Sequence, residues 1–389
     1  MRGMAFLPGV FLCINLFAQS GSLDESFRFG LDTNFFVRLI SEQSDGKLLV
    51  MGTSGDLYAL RWSIVRLNRD GSLDQKFRTV QWESNEVTHP YLTAMRQRSD
   101  GKIIVTGGFE SYRGHPRTNI LLLSRHGRLL PKIFPRIGPI AGIRSNGSVL
   151  FVGGNPHVRD GGSLRLMSPK GEISTNFLLL TARWEYPSQP VIGPDDSACG
   201  VIDSFRYANY MTYFISRDGT VQTGNIFQTA GYIGVANPGD GTFYAYGRGT
   251  FLQWNWENGR SVSRTNWLIW RRGPPGSFAS FSYYPTNVLS EGIDNFTIAA
   301  QPDGKVLIVA WYHEFAASVQ DETTPTIFRF QRLNTDGSLD ETFTPPSPIG
   351  LQPNWVFRML VLRDGKILLY GPPLEFSGRR PATIVRLLP

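Results

Sequence analysis

The sequence predicts an all-β chain built as an array of short antiparallel strands, and three observations predict it. Two nine-residue blocks, Arg66-Leu67-Asn68-Arg69-Asp70-Gly71-Ser72-Leu73-Asp74 and Arg332-Leu333-Asn334-Thr335-Asp336-Gly337-Ser338-Leu339-Asp340, match at eight positions. Weaker copies recur at intervals of roughly fifty residues, a period typical of repeat architectures. The composition is rich in turn formers and aromatics, with 41 Gly, 25 Pro and 13% aromatic residues, and no stretch reads as a long amphipathic helix.

Each repeat opens with an apolar run and a tight turn. Asp45-Gly46-Lys47, Asp100-Gly101-Lys102, Asp303-Gly304-Lys305 and Asp364-Gly365-Lys366 are the clear copies. Asn146-Gly147-Ser148 and Asp240-Gly241-Thr242 are diverged, and Asp195-Asp196-Ser197 lacks the glycine. An Asp-Gly pair tolerates positive φ, so each predicts a two-residue hairpin joining two strands. The flanks agree: Phe296 to Gln301 leads in and Lys305 to Val309 leads out, both rich in strand formers. A third strand, such as Ser63 to Leu67 or Phe328 to Leu333, leads to a second turn at Asp70-Gly71 or Asp336-Gly337. Weaker second turns are expected at His126-Gly127, Lys170-Gly171, Asp218-Gly219 and Asn258-Gly259. A short fourth strand follows, as in Ser338 to Phe343. Four antiparallel strands per unit make one propeller blade.

The ends complete the count. Residues 21–27 read as a fourth strand with no blade before it, and residues 383–388 as a third strand with nothing after it. Pairing them closes the array into a ring and covers apolar faces that would otherwise meet water. Seven first turns then predict a seven-bladed β-propeller of four-stranded antiparallel blades, a single domain over residues 21–389.

Three motifs together resemble the delta-60 repeat, a bacterial β-propeller repeat. They are Gln-Pro-Asp-Gly-Lys at 301–305, Arg-Leu-Asn-x-Asp-Gly-Ser-Leu-Asp at 66–74 and 332–340, and Leu-Asp-x-[Ser/Thr]-Phe at 23–27 and 339–343. Residues 21–125 and 295–389 carry the resemblance, whereas residues 127–265 fit only by turn spacing. Kelch repeats are the near alternative, since Gly107-Gly108 and Gly153-Gly154 end second strands. The Tyr and Trp of a kelch unit do not recur. The resemblance implies a fold and no specific reaction.

Residues 1–20 read as a signal peptide: Arg2 as basic region, Ala5 to Phe17 as apolar core, and Ala18-Gln19-Ser20 as cleavage site. The apolar stretch is too short to span a membrane comfortably, so no membrane span is expected in the mature chain. Cys13 has no lipobox around it. The expected location is extracellular, cell-surface or periplasmic. Cys199 then remains alone, so apolar faces stacked between blades, and no internal disulfide, must hold the fold. The net charge of +7 is mild for this length and lies in no Lys-rich run, which gives no indication of nucleic-acid binding.

Function is expected on the face opposite the Asp-Gly turns, where long links converge. The ligand-binding candidates are Arg113, His115 and Arg117 in blade two, His157 and Arg159 in blade three, His313 and Glu314 in blade six, and Arg379 and Arg380 in blade seven. His89 falls in the same class of loop, and only His126 sits at an opposite turn. These groups suit an anionic or sugar ligand at the mouth of a channel; equally, His and Arg favour exposed loops for solvation alone. No His-x-His or His-x3-His spacing points to a metal. Asn68-x-Asp70-Gly71-Ser72-x-Asp74 superficially resembles a calcium loop, but it supplies too few oxygens and serves fully as a hairpin. Trp254 and Trp256 read as wedges between blades, while Trp267 and Trp270 fall in an inserted link and are better placed for exposure. No nucleophile elbow, zinc helix, phosphate loop or Cys-His pair is present, and no catalytic residue or cofactor is assigned. Acid pairs such as Glu83 with Glu86, or Glu314 with Asp321, could serve glycoside or lyase chemistry. The reading is an exported, non-enzymatic binding scaffold for a glycan or a protein; the alternative is a polysaccharide-degrading glycoside hydrolase or lyase with acid and His groups at the channel mouth.

Overall fold

The computed structural model describes residues 19–389 except 56–60, 84–90, 139–140, 154–162, 181–184, 189, 205–208, 226–232, 237–242, 256–259, 273–277, 284–292, 314–325, 349–356 and 377–379. Among the described residues the structure is all β, with every sheet pairing antiparallel and no helix. The strands form seven successive sheets and one two-stranded ribbon. The first sheet pairs Phe36–Glu42, Leu48–Ser54, Arg61–Leu67 and Val80–Glu83 in sequence order. The third and fifth sheets are likewise four strands in order, and the fourth carries a fifth short strand. The second, sixth and seventh have three each.

These three-stranded sheets correct the expected four-stranded blade. The segment after the second turn pairs through isolated bridges, Leu123 with Leu129, Leu333 with Leu339 and Leu23 with Leu387. After Leu339 and Leu23 the next residue is an aspartate that makes a turn. The Asp340 carboxylate accepts the Thr342 amide at 3.1 Å, and the Phe343 amide bonds back to the Asp340 carbonyl at 3.2 Å. That Asx turn redirects the chain after the bridge; the first sheet makes the same turn at Asp74 and still adds the strand Val80–Glu83 further on.

The first turns also differ from expectation. Gln43 N–H bonds to Lys47 O at 2.8 Å and Gly46 N–H to Gln43 O at 3.0 Å. Only the glycine is left-handed, with φ +77° at Gly46. This is a type I turn closed by a glycine bulge, one residue longer than a two-residue hairpin. Asp45 contributes by accepting the Lys47 amide at 3.1 Å. The turn without glycine has the same bonds, with Asp196 at φ +68° in the glycine's place. Aspartate tolerates this region better than most residues. Asp196 is also held from outside, by the Ser145 amide at 2.8 Å and Arg96 at 3.2 Å. Turn Asp240-Gly241 lies outside the described residues.

Apolar clusters fill the space between consecutive sheets. Leu49, Met51, Ile64 and Trp82 of the first sheet meet Leu92, Met95, Ile103 and Val105 of the second. Leu48 and Val50, on the opposite side of the same strand, meet Leu368, Tyr370 and Ile384 of the seventh. Both faces of a sheet are therefore covered, and Leu48-Leu49-Val50-Met51 is buried throughout. Neighbouring sheets approach along their first strands: Phe36–Glu42 lies beside Tyr91–Gln97, and Ile293–Ala300 beside Arg358–Val361. Phe36–Glu42 also lies beside Ile367–Leu374 of the seventh sheet.

Of the expected pairing of residues 21–27 with 383–388, the structure shows residues 21–24 bonded to 386–388. Gly21 N–H bonds to Leu388 O at 3.0 Å, Asp24 N–H to Arg386 O at 2.8 Å and Leu388 N–H to Ser22 O at 2.9 Å. The fifth sheet departs from expectation. Phe243–Asn255 and Arg260–Arg272 pair along thirteen positions, so Trp267 and Trp270 stand in a strand and not in a link. The expected turn at Asn258-Gly259 lies outside the described residues. Trp256 lies outside the described residues.

Cys199 is buried in the fourth sheet with no exposed surface, and burial pushes its thiol far above the ordinary value. A thiolate is the reactive form, so native Cys199 should resist iodoacetamide at pH 8. Labelling is expected to appear only with unfolding, followed by mass spectrometry across a urea series. Fast labelling of the folded protein would contradict the packing described.

Candidate functional site

The two faces of the sheets differ in how their polar groups are used. At the turn face, three copies of one arrangement recur. The Asp74 Oδ2 receives Lys47 Nζ at 2.6 Å and Arg66 Nε at 2.9 Å. Asp340 receives Lys305 and Arg332, both at 2.8 Å, and Asp24 receives Lys366 and Arg386, both at 2.9 Å. Each arginine also lies over a phenylalanine ring: Phe77 at 4.9 Å, Phe343 at 4.7 Å and Phe27 at 4.6 Å. The three carboxylates are buried. Burial alone would raise the Asp74 carboxyl, but the Lys47 hydrogen bond, the Lys76 amide and the Arg66 charge outweigh it and hold it at about 2. Asp24 and Asp340 sit well below the usual carboxylate range on the same balance.

This arrangement explains the repeat letters. Lys comes from the first turn, Arg from the third strand, Asp and Phe from the segment after the second turn. The arginine then reaches the next sheet: Arg66 donates to Arg125 O at 2.6 Å, and Arg386 to Arg69 O. Asp70, the central residue of the calcium-like pattern, accepts the Ser72 amide at 3.0 Å and its hydroxyl at 2.7 Å. Asp74 is engaged by two cations, so the pattern operates as a turn and an ion-pair hub. Reading the motif as a hairpin alone missed this hub. The signal was there, in the co-occurrence of Lys, Arg and Leu-Asp in the same three repeats.

The opposite face shows no such uniformity. Among the described strands, the link between second and third strands runs from residues 205–208 in the fourth sheet to 314–325 in the sixth. In the second sheet it folds into a ribbon, Ser111–Tyr112 against His115–Pro116, through a turn with Arg113 at φ +50° and Gly114 at φ +76°. Tyr112 is buried against Trp82, ring centres 4.8 Å apart, and the Arg113 guanidinium lies 5.5 Å from the Tyr112 ring. The anchored ribbon presents Arg113 and His115 to solvent. Arg117 turns inward instead. It is buried and donates to Pro116 O at 2.6 Å and, at 3.4 Å each, to Leu130 O and Pro131 O, so it braces the loop.

Arg380 is exposed before the last strand. The backbone of His313 ends the strand Val306–His313. His157, Arg159, Glu314 and Arg379 lie outside the described residues, as do His89, Glu86 and Asp321.

One pair on this face was not expected from the sequence. Arg38 is the third residue of Phe36–Glu42, and Arg358 opens Arg358–Val361 in the seventh sheet. First strands run from the long-link face to the Asp-Gly turn, so both residues stand near the long-link end. Both are open to solvent, and Arg358 donates to the Arg38 carbonyl at 2.9 Å. Among the described residues Arg38 has no carboxylate partner. Partial burial, then the Arg358 charge, lowers its pKa. The Arg358 guanidinium is held against the Arg38 backbone, and with no carboxylate paired to either side chain among the described residues the two cations favour an anion nearby.

A family model described as a domain of unknown function (DUF5122) beta-propeller matches residues 43–77, 98–128 and 301–343. These stretches hold turn-face hubs or their nearest copies, and they support a β-propeller repeat family. No curated protein matches the chain. Among solved structures, a polysaccharide lyase, Uly1, is 10% identical, with 93% of this chain and 91% of that one covered at a TM-score of 0.42. A protein of unknown function from Dyadobacter fermentans is 9% identical, with 79% and 96% covered at 0.39. A eukaryotic initiation factor is 11% identical, with 92% and 78% covered at 0.41. Likeness at this level says nothing of what the chain binds.

Proposed function

We propose that this chain is an exported, non-enzymatic binding scaffold, a closed seven-bladed propeller of delta-60-type repeats. It recognises an anionic group of a glycan or a protein on its long-link face. Seven successive sheets, first strands side by side and a seam between residues 21–24 and 386–388 support the closed ring. The observation that carries the binding reading is the Arg38–Arg358 pair, two cations with no paired carboxylate among the described residues, at the inner end of that face. Arg113, His115 and Arg380 lie exposed on links of the same face and form the outer part of the proposed site. The ligand supplies carboxylate or sulfate oxygens to the inner pair and stacks or hydrogen-bonds with the outer groups.

The test is a panel of acidic and neutral polysaccharides, with binding and product release measured together. Saturable binding of an acidic member without new reducing ends or unsaturated products is expected. Arg38→Gln combined with Arg358→Gln should weaken it about tenfold, a loss of about 1.4 kcal/mol. Product release would instead favour the lyase or hydrolase reading. Binding that the double variant leaves unchanged would remove the pair from the site.

A further inference from the structure

The turn face holds a feature that the repeat does not require. Where the fourth segment of one sheet passes the second turn of the next, one backbone bond recurs. Arg28 N–H bonds to Asp70 O at 2.7 Å, Arg78 N–H to His126 O at 2.9 Å, and Thr344 N–H to Ser20 O at 3.0 Å. These bonds align three equivalent junctions residue by residue. The seam junction carries Glu25, Ser26 and Arg28 opposite Asp70 and Ser72. The junction of the sixth and seventh sheets carries Glu341, Thr342 and Thr344 opposite Ser20 and Ser22.

The junction of the first and second sheets carries Gln75, Lys76 and Arg78 opposite His126 and Arg128. It lacks the carboxylates of the other two and has three cations where the seam has one. It is also concave, a cleft of about 690 Å³ lined by these five residues with Phe77 and Ser124. Lys76, Arg78, His126 and Arg128 are exposed. His126 Nε2 accepts the Arg125 Nε–H at 3.0 Å, which holds the ring in place and brings a fourth cation to the rim. Among the described residues no carboxylate pairs with Lys76, Arg78 or Arg128. Clustering like charges in a concavity is unfavourable without a counter-ion, and the neighbouring copies show that the fold does not need it.

We propose that this cleft is a second binding site, on the turn face, for a ligand bearing a phosphate or sulfate ester. Arg78 and Arg128 clamp the ester oxygens from the two sheets, as arginines do with tetrahedral oxyanions, and Lys76 adds a point charge. The site depends on neither Arg38 nor Arg358, so it stands or falls apart from the long-link face. Its volume suits a ligand the size of one or two sugar rings.

Isothermal titration with glucose 6-phosphate, glucose 6-sulfate and glucose tests it. One or both esters should bind while glucose does not, and the preferred ester identifies the source of the oxyanion. The deciding variant is His126→Asp with Arg128→Ser, which installs the residues of the seam turn. The same backbone turn already accepts them at Asp70 and Ser72, so the fold should survive, as an unchanged thermal midpoint would show. Ester affinity should fall at least tenfold in this variant and stay unchanged in Arg38→Gln/Arg358→Gln. Esters that bind no better than glucose would overturn the proposal. So would ester binding that His126→Asp/Arg128→Ser leaves intact.

Discussion

Asp24→Ala should cost about 3 to 5 kcal/mol of stability, the range for removing one partner of a buried ion pair. Its carboxylate joins Lys366 and Arg386 at 2.9 Å each and accepts the Ser26 amide at 3.0 Å. Removing it leaves Arg386, with a side chain only 7% exposed, without its carboxylate. Arg386 also donates to Arg69 O in the first sheet, so the loss loosens contacts on both sides of the seam. Denaturant unfolding of Asp24→Ala gives the size. Adding Arg386→Leu should recover part of the loss, because it removes the orphaned cation. As a control, Asp100→Ala should cost less, about 1 kcal/mol, because this carboxylate is itself partly exposed where it meets Lys102 at 3.0 Å and Arg98 at 3.2 Å. Equal losses for Asp24 and Asp100 would show that the seam pair is an ordinary surface contact.

Acid should unfold this protein earlier than neutral salt or mild heat would suggest. Asp24, Asp74 and Asp340 all titrate below their unfolded values, with Asp74 at about 2. For a carboxyl lowered by folding, the stabilisation is fully present above the unfolded value near 4 and is lost as pH falls through the folded value. The window therefore opens near pH 4 and runs to about pH 2 for Asp74 and lower for Asp24 and Asp340, where the unfolded chain takes up protons before the folded one. Asp74 alone should account for about 2 kcal/mol across that window. Unfolding free energies at pH 7, 4, 3 and 2 check this, with Asp74→Asn as comparison. The variant should be less stable at pH 7 and lose less on acidification. A pH profile identical to the parent's would place the acid sensitivity elsewhere.

The sequence disclosed most of the framework, for physical reasons that particular residues make clear. Gly46, Gly71 and Gly337 occupy left-handed positions, so the turns leave a local mark. The seam was legible because Leu23-Asp24 repeats Leu73-Asp74 and Leu339-Asp340. The Lys–Asp–Arg hub was not legible, since Lys47 and Asp74 come from different turns and meet only in the folded sheet. Arg117 reads as a loop cation, yet the loop folds back and its guanidinium braces backbone carbonyls. Arg38 and Arg358 sit in strands 320 positions apart, and nothing local marks either. The long hairpin of the fifth sheet was misread because Arg260–Arg272 lacks a turn residue at the spacing set by the other repeats.

The seam also sets an order of events. Asp24 and Arg386 are 362 positions apart, so their bond is among the last that a growing or collapsing chain can make. Local hairpins form first and pay little loop entropy, while this contact waits for every sheet between. Until it forms, the outer edge of Ala382–Leu387 lacks the bonds that residues 21–24 supply, and an open strand edge invites pairing with another chain. This contact therefore works as a completeness check. A molecule with a misplaced sheet cannot bring Asp24 to Arg386, and it keeps a buried-type charge and a sticky edge that mark it for aggregation or proteolysis.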